Sequence, residues 1–122
     1  MNWNISPGRP VYVQLIEQLE LAVVTGEYAP GSRIPSVREL AAEAGVNPNT
    51  MQRALQELES RGLLQTQRTA GRVVSADETT LQSLRFQRAK AFTSNFLQQM
   101  EKLGFSREET LSLIQSAEIP TH

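Results

Sequence analysis

Apolar residues recur at intervals of three and four near the start of the chain. They lie within PVYVQLIEQLELAVVT and are Tyr12, Leu15, Ile16, Leu19 and Val23. This spacing puts them on one face of an α-helix. Pro10 suits the first turn of such a helix, and Gly26 suits the position just past its end. We therefore predict a first helix between these two residues.

Two short helices are predicted next, joined by a tight turn. Ser36 and Glu39 have the spacing of a capping box, in which each side chain bonds the backbone amide of the other residue. Gly45 suits the end of this second helix, and Asn47 and Pro48 suit the cap and first position of a third. The apolar stripes of the two helices are Val37, Leu40, Ala41, Ala44 and then Met51, Ala54, Leu55, Leu58. Such a pair is typical of a helix-turn-helix.

A β-hairpin is predicted after the third helix, in LLQTQRTAGRVVS. Leu64 and Thr66 would lie on its first strand, and Val73 and Ser75 on its second. A helix-turn-helix followed by a hairpin is a winged helix. The predicted fold is thus mainly α with a small β-hairpin, with a winged helix-turn-helix over residues 1–76.

Residues 77–122 are predicted to form two further helices. The apolar seam of the first comprises Leu81, Leu84, Ala89, Phe92, Phe96, Met100 and Leu103. Gly104 ends this long helix, Ser106 and Glu109 form a second capping box, and a final helix carries Leu111, Ile114 and Ala117. The seam repeats roughly as in a coiled coil. It could pack against its own domain, but a helix with three phenylalanines needs a cover, which favours a homodimer with Leu111 and Ile114 in the interface.

Composition agrees with a single soluble globular protein. The 122 residues are 39% hydrophobic and 20% charged, as in ordinary globular domains. No apolar run approaches the ~20 residues of a membrane span. Cysteine is absent, so neither disulfides nor thiolate metal sites are expected. These features predict a cytoplasmic protein with no membrane partner.

The start of the third helix is crowded with hydrogen-bonding side chains: Asn49, Thr50, Gln52 and Arg53. A helix docked in the DNA major groove turns its N-terminal residues toward base edges. Asn and Gln can bond adenine, and Arg can bond guanine, through two groups at once. Thr50 could reach a phosphate or a thymine methyl. Asn47 is explained by capping alone and could also face DNA.

Two more surfaces of a winged helix carry similar residues. Arg38, Ser36 and the upstream Arg33 lie at the start of the second helix. Arg68 and Arg72 flank the hairpin tip, with Thr69 and Gly71 between them, and could enter or straddle the minor groove. Each surface taken alone could simply be solvated. The net charge of the whole chain is only −1, so the coincidence of three surfaces, rather than bulk charge, favours double-stranded DNA as the partner.

Two other classes of function are weighed against DNA binding. An enzyme is not expected, because the single histidine is His122 and there is neither a glycine-rich phosphate loop nor a set of metal ligands. No cofactor and no metal are predicted. The alternative is a winged-helix protein-interaction module without operator binding. That reading would call for an apolar or acidic face on the third helix.

The stretch GEYAPGSRIPSVRELAAEAGVNPNTMQRALQELESRGLL resembles the DNA-binding domain of the GntR family of bacterial transcription regulators. The resemblance covers about residues 9–75, and the tail with GFSREETLSLI resembles the short YtrA-type branch. It implies a dimeric operator-binding regulator, most often a repressor, whose target genes often include membrane transporters and its own gene. Its DNA contacts would include Arg38, Asn49, Thr50 and Gln52, with the wing tip near Gly71 at the minor groove. A small-molecule effector between the paired tails and control by abundance alone both stay open.

The chain departs from the family pattern at two places. The wing commonly reads Gly-x-Gly, whereas this chain has Thr69-Ala70-Gly71. Many relatives also carry an extra arginine on the third helix, where this chain has Pro48 or Gln52. The operator sequence is therefore not carried over from the family.

Overall fold

The computed structural model describes residues 1–117. The chain divides into two compact units, Met1–Arg85 and Phe86–His122. The division falls within a helix, later than the boundary after residue 76 that the sequence suggests. His122, the single histidine of the sequence, lies outside the described residues.

The first unit is a winged helix, as predicted. Its elements in chain order are α1 (Val11–Val24), α2 (Val37–Ala44), α3 (Pro48–Ser60), β1 (Leu64–Gln67), β2 (Gly71–Val74) and the first part of α4 (Glu78–Lys102). The two strands form an antiparallel hairpin, hereafter the wing, in which Leu64 faces Val74 and Gln67 faces Gly71. Ser75 was expected in the second strand but lies just beyond it, where its amide donates to the carbonyl of Leu63.

The predicted caps of α2 and α3 are confirmed. The Ser36 hydroxyl accepts from the Glu39 amide at 3.2 Å, and the Glu39 carboxylate accepts from the Ser36 amide at 3.3 Å. Gly45 ends α2 with a φ of +69°, a conformation that costs glycine least. Asn47 then caps α3 by accepting from the Asn49 amide at 2.7 Å. The caps fix where each helix begins, and hence which side chains stand in its first turn.

The segment before α2 is attached to the wing. The Val74 amide donates to the carbonyl of Ser32, and the Ile34 amide donates to the carbonyl of Arg72. An isolated bridge therefore joins Arg33 to Val73. These bonds hold the start of α2 beside the second strand of the wing.

The core of the first unit draws on every element. Buried side chains from α1, α2, α3 and the wing form one cluster, which also contains Leu81 of α4. Leu81 and Leu84, which we expected in a dimer interface, contribute to this core. Leu81 is 2% exposed within the core and Leu84 packs against it. Nearby, Arg85 donates to the carbonyl of Val24 at 3.0 Å.

The second unit contains the rest of α4 and α5 (Arg107–Ser116). Gly104 ends α4 with a φ of +91°, and the predicted capping box of α5 is present, with Ser106 and Glu109 bonded at 2.9 and 3.1 Å. Ala117 was expected inside the last helix but follows it with an extended backbone. Among the helices that residues 1–117 form, not one has both the length and the apolar character required to span a membrane.

Candidate nucleic-acid interface

The first turns of α3 present polar side chains outward because the opposite side of the helix is locked in the core. Met51, Ala54 and Leu55 are fully buried, which fixes the rotation of the helix about its axis. Asn49 and Arg53 are exposed, and the intervening positions, Thr50 and Gln52, are partly exposed. Asn47 is also exposed, but its side-chain oxygen is engaged by the cap described above.

Arg53 is held against α1 rather than extending freely. Its guanidinium lies over the ring of Tyr12, 4.6 Å from the centroid. Such cation–π contacts contribute about 0.5–1 kcal/mol at exposed sites. The contact places one positive charge beside the polar face of α3 and reduces the conformational freedom that Arg53 would lose on binding a phosphate.

The start of α2 contributes two arginines with exposed side chains. Arg38 stands in the first turn of α2, and Arg33 lies on the segment bonded to the wing. Within residues 1–117, neither has an ion pair with a carboxylate. Both charges are therefore available to a ligand. Ser36 is exposed, but its hydroxyl is occupied by the Glu39 amide.

The predicted wing residues do not all share one position. Arg68 and Thr69 lie exposed in the turn between the strands, and Gly71 follows with a φ of +76°. The guanidinium of Arg72 instead turns back toward α3. Its Nε donates to Glu59 at 2.5 Å, and its Nη1 donates to Gln52 at 3.4 Å. Arg72 is thus part of a contact between the wing and α3 and does not stand at the hairpin tip.

A groove of about 420 Å³ joins the three surfaces. Its lining comes from the segment before α2, the start of α2, α3 and the wing: Arg33, Ile34, Pro35, Ser36, Val37, Gln52, Thr66, Gly71 and Arg72. Five of the predicted residues therefore meet here: Arg33, Ser36, Gln52, Gly71 and Arg72. Arg38, Asn47, Asn49, Thr50, Arg53, Arg68 and Thr69 lie outside its lining.

Sequence reasoning missed the residue that organises this groove. Glu59 uses one carboxylate oxygen to accept from the Thr66 hydroxyl at 2.6 Å and from Arg72. Partial burial opposes ionisation of Glu59, but the hydrogen bonds from Thr66 and Arg72 and the charge of Arg72 outweigh it, so the pKa of Glu59 lies below its usual value. In the sequence, Glu59 is one of two acidic residues on α3, and Arg72 is a basic residue on β2. This signal is too weak to identify the pair.

A second predicted surface, the apolar seam of the tail, is largely exposed in the second unit. Its large members Phe92, Phe96, Leu103, Leu111 and Ile114 are between 39% and 71% exposed. Ala89 is exposed as well, and Met100 is partly buried.

Comparison with known proteins assigns the winged helix to a family. Residues 11–74, more than half of the chain, match the family described as "Bacterial regulatory proteins, gntR family". This chain belongs to the gntR family. It is therefore a GntR-type transcriptional regulator with a DNA-binding helix-turn-helix.

Relatives of this GntR regulator extend the likeness to the tail. The uncharacterized HTH-type transcriptional regulator YhcF of Bacillus subtilis is 33% identical over 95% of this chain and 96% of YhcF. The HTH-type transcriptional repressor YtrA of the same organism is 41% identical over 58% of this chain and 55% of YtrA. A GntR family regulator from Listeria monocytogenes superposes with a TM-score of 0.84, is 35% identical, and covers 93% of this chain and 100% of its own.

Operator complexes exist among similar structures. The DNA-binding domain of AraR in complex with operator ORX1 is 29% identical, with a TM-score of 0.53, over 58% of this chain and 90% of its own. The matched share of this chain is smaller than the first unit, Met1–Arg85. GntR regulators bind DNA operators.

Proposed function

We propose that this GntR regulator is a homodimeric repressor that binds an inverted-repeat operator in the cytoplasm. The winged helix, residues 1–76, would bind DNA, and the helical tail, residues 77–122, would join two copies. The observation that carries the proposal is the groove, in which Arg33 from the segment before α2, Gln52 from α3 and Arg72 from the wing bring basic and amide side chains together.

Each surface is assigned a part of the duplex. The first turns of α3 would enter the major groove, where Asn49, Thr50 and Gln52 face base edges. The exposed Arg38 would read a base beside them. Arg33 and Arg53 are suited to phosphates, because guanidinium groups donate two hydrogen bonds in the geometry that a phosphate accepts. This assignment rests on the exposed positions of these side chains.

The wing and the caps are assigned supporting roles. Arg68 and Thr69 are exposed at the tip and would lie along the minor groove, with Gly71 behind them. Ser36 and Asn47 keep the amides of the first turns of α2 and α3 in place, and a phosphate near these ends would also interact favourably with the helix dipoles. Arg72 is assigned to positioning rather than to DNA, because it bonds to Glu59.

Dimerisation would cover the seam of the tail, composed of Ala89, Phe92, Phe96, Met100, Leu103, Leu111 and Ile114. Exposed apolar patches of this kind are typical of interaction surfaces. A two-fold dimer presents two copies of α3, which requires two half-sites in opposite orientation. The exposure of the large apolar residues supports this assignment.

Repression is proposed because the relative YtrA bears the name repressor. A dimer seated across a promoter would exclude polymerase without further chemistry. The proposal needs no effector for binding; a small molecule held between the tails would act by changing the distance between the two copies of α3.

The experiment that tests the proposal is selection of genomic DNA fragments by the purified protein at near-physiological salt. The expected result is a short inverted repeat near a promoter, bound with a Kd on the order of 1–10 nM. A reporter gene carrying that repeat across its promoter should be transcribed less when the protein is present. Binding without sequence preference would contradict the proposal, and activation of the reporter would overturn the repressor assignment alone.

The salt dependence of binding tests the proposed contacts with DNA phosphates. Affinity for the selected fragment should fall steeply with salt, because each phosphate contact releases a counterion. The Arg33→Ala variant should reduce the slope of the logarithm of the binding constant against the logarithm of salt by about 1. An unchanged slope would remove Arg33 from the phosphate contacts.

A further inference from the structure

The side-chain amide of Gln52 is tied to the wing on one side. Gln52 stands on the exposed face of α3, and its oxygen accepts from Nη1 of Arg72 at 3.4 Å. Arg72 cannot swing away easily, because its Nε is bonded to Glu59 at 2.5 Å and its side chain is only 16% exposed. Glu59 is fixed in turn by the hydroxyl of Thr66 on β1.

The chemistry of this chain of contacts fixes the direction of the amide. A guanidinium group carries five N–H donors and no acceptor, so only the oxygen of Gln52 can face Arg72. The NH₂ group must then point away from Arg72. Within residues 1–117, that NH₂ group has no hydrogen-bond acceptor. Gln52 is one of the residues that line the open groove, together with Arg33, Ser36 and Gly71.

We propose that Arg72, held by Glu59, is a positioning residue that fixes Gln52 as a hydrogen-bond donor toward the DNA base edge. The base pair read by Gln52 is thereby set by a residue that does not itself contact DNA. This inference rests on the proposed operator binding, since it concerns the specificity of the same surface. It differs from the usual expectation for a glutamine in the major groove.

A free glutamine recognises adenine with two groups at once, because its oxygen accepts from N6 while its NH₂ donates to N7. Because the side-chain oxygen of Gln52 is bonded to Arg72, only its NH₂ group remains to bind a base. Gln52 therefore loses most of its preference for adenine. The NH₂ group can donate to guanine N7 or O6, to thymine O4 and to adenine N7, but not to the N4 amino group of cytosine, which is itself a donor. The wild-type protein should therefore exclude cytosine at this position without a strong preference for adenine.

The test is selection of operator variants, randomised at the half-site, by a matched set of full-length proteins. The Gln52→Ala variant first locates the base pair, as the position at which wild-type preference disappears. Arg72→Met removes the donor and keeps an unbranched side chain of similar reach. It frees the oxygen of Gln52, and adenine should gain roughly five- to tenfold over guanine and thymine at that base pair.

Two further variants separate positioning from a loss of folding. Glu59→Gln keeps a group that can accept from Thr66 but loosens the hold on Arg72, so it should shift the same preference in the same direction and less far. Glu57→Gln is the matched control, since Glu57 also lies on α3 but bonds Arg61 instead. It should leave the selected sequence unchanged. Thermal unfolding of all variants verifies that each is folded.

The double variant Gln52→Ala with Arg72→Met tests whether Arg72 changes base preference through Gln52. If Arg72 acts through Gln52, adding Arg72→Met to Gln52→Ala changes base preference no further. If Arg72→Met instead weakens all sequences equally and lowers the salt slope by about 1, Arg72 contacts a phosphate and the inference is overturned. If the wild-type protein selects no operator at all, the proposed function fails. If it selects an operator but Arg72→Met leaves the base preference unchanged, only the inference about Arg72 is overturned.

Discussion

The two units of the chain use apolar residues in opposite ways. In Met1–Arg85, the large apolar side chains of α1, α2 and α3 converge on one cluster, and those at its centre are fully buried. In the second unit, Phe92, Leu103 and other large apolar side chains remain exposed, and the buried residue of α5 is Thr110. Burial of a large apolar side chain contributes roughly 1.5–3 kcal/mol.

The two units therefore differ in the source of their stability. The first unit obtains its stability from its own core, and its polar surface is free for DNA. The second unit leaves apolar area uncovered that a second copy would cover. Changes in the first unit should therefore act at any protein concentration, whereas changes in the tail should act through the association of two chains.

The largest effect is expected from the core of the first unit. Leu55→Ala removes a fully buried side chain and should lower the free energy of unfolding by about 2–5 kcal/mol, through lost burial and a residual cavity. Denaturant unfolding at two protein concentrations measures it. Gln56→Ala, at the exposed neighbouring position, should change stability by less than about 0.5 kcal/mol. A loss of stability that varies with protein concentration would contradict this distinction between the two units.

The next effect is expected in the tail. Phe92→Asp puts a charge where the proposed dimer buries a ring, so the dimer dissociation constant should rise by about 100-fold or more. Size-exclusion chromatography with light scattering measures the mass over a concentration series. The control is Gln98→Asp, at an exposed position of α4 away from the seam. A dimer that persists in Phe92→Asp would show that the seam is not the interface.

A smaller effect is expected from Arg38→Ala. If Arg38 reads a base, affinity for the operator should fall by about 1–3 kcal/mol and specificity should relax at one base pair. Titration of the operator and its single-base variants tests this. Arg61→Ala is the control, since Arg61 is bonded to Glu20 and Glu57 at the far end of α3. Equal weakening on every sequence would assign Arg38 to a phosphate.

The two capping boxes provide a matched pair, one in each unit. Ser36→Ala and Ser106→Ala should each cost about 1 kcal/mol. Ser36→Ala should also weaken operator binding, because it loosens the start of α2. Ser106→Ala should instead weaken dimerisation. Hydrogen exchange locates each loss, and an effect of Ser106→Ala confined to the first unit would contradict the separation.

The smallest effect is a pH dependence of the contact between the wing and α3. The pKa of Glu59 is lower in the folded chain than its ordinary value, so its contribution is fully present above the unfolded pKa and is lost as pH falls through the folded pKa. Glu59→Gln should thus flatten the stability profile only in the acid range, below about pH 4.5. Unfolding measured from pH 3 to 7 tests this: the difference in stability between wild type and Glu59→Gln should be largest at neutral pH and shrink as the pH falls, and a difference that stays constant down to pH 3 would contradict it.

Local rules predicted the local structure. The capping boxes at Ser36 and Ser106 and the glycine ends at Gly45 and Gly104 are determined by a few adjacent residues, and all four are present. The errors lie at the last residues of elements, at Ser75 and Ala117. Helix and strand ends depend on weak final hydrogen bonds that sequence patterns do not define sharply.

The periodicity of apolar residues along the sequence does not predict tertiary contacts. Leu81 has the same three-and-four spacing as Phe92, so periodicity alone could not assign one to the core and the other to a surface. The bond between Arg72 and Glu59 joins a strand to a helix and follows from their packing. The sequence identified the candidate surfaces of the groove, but not the network that orients Gln52 within it.

The most direct test of the central claim is a comparison of the selected operator with a single half-site, with stoichiometry measured at saturation. We expect two chains on the full inverted repeat and a half-site that binds at least about 100-fold more weakly, because a dimer engages both half-sites through one association. One chain per site, with equal affinity for the full repeat and the half-site, would contradict the division of the molecule into a DNA-reading unit and a pairing unit.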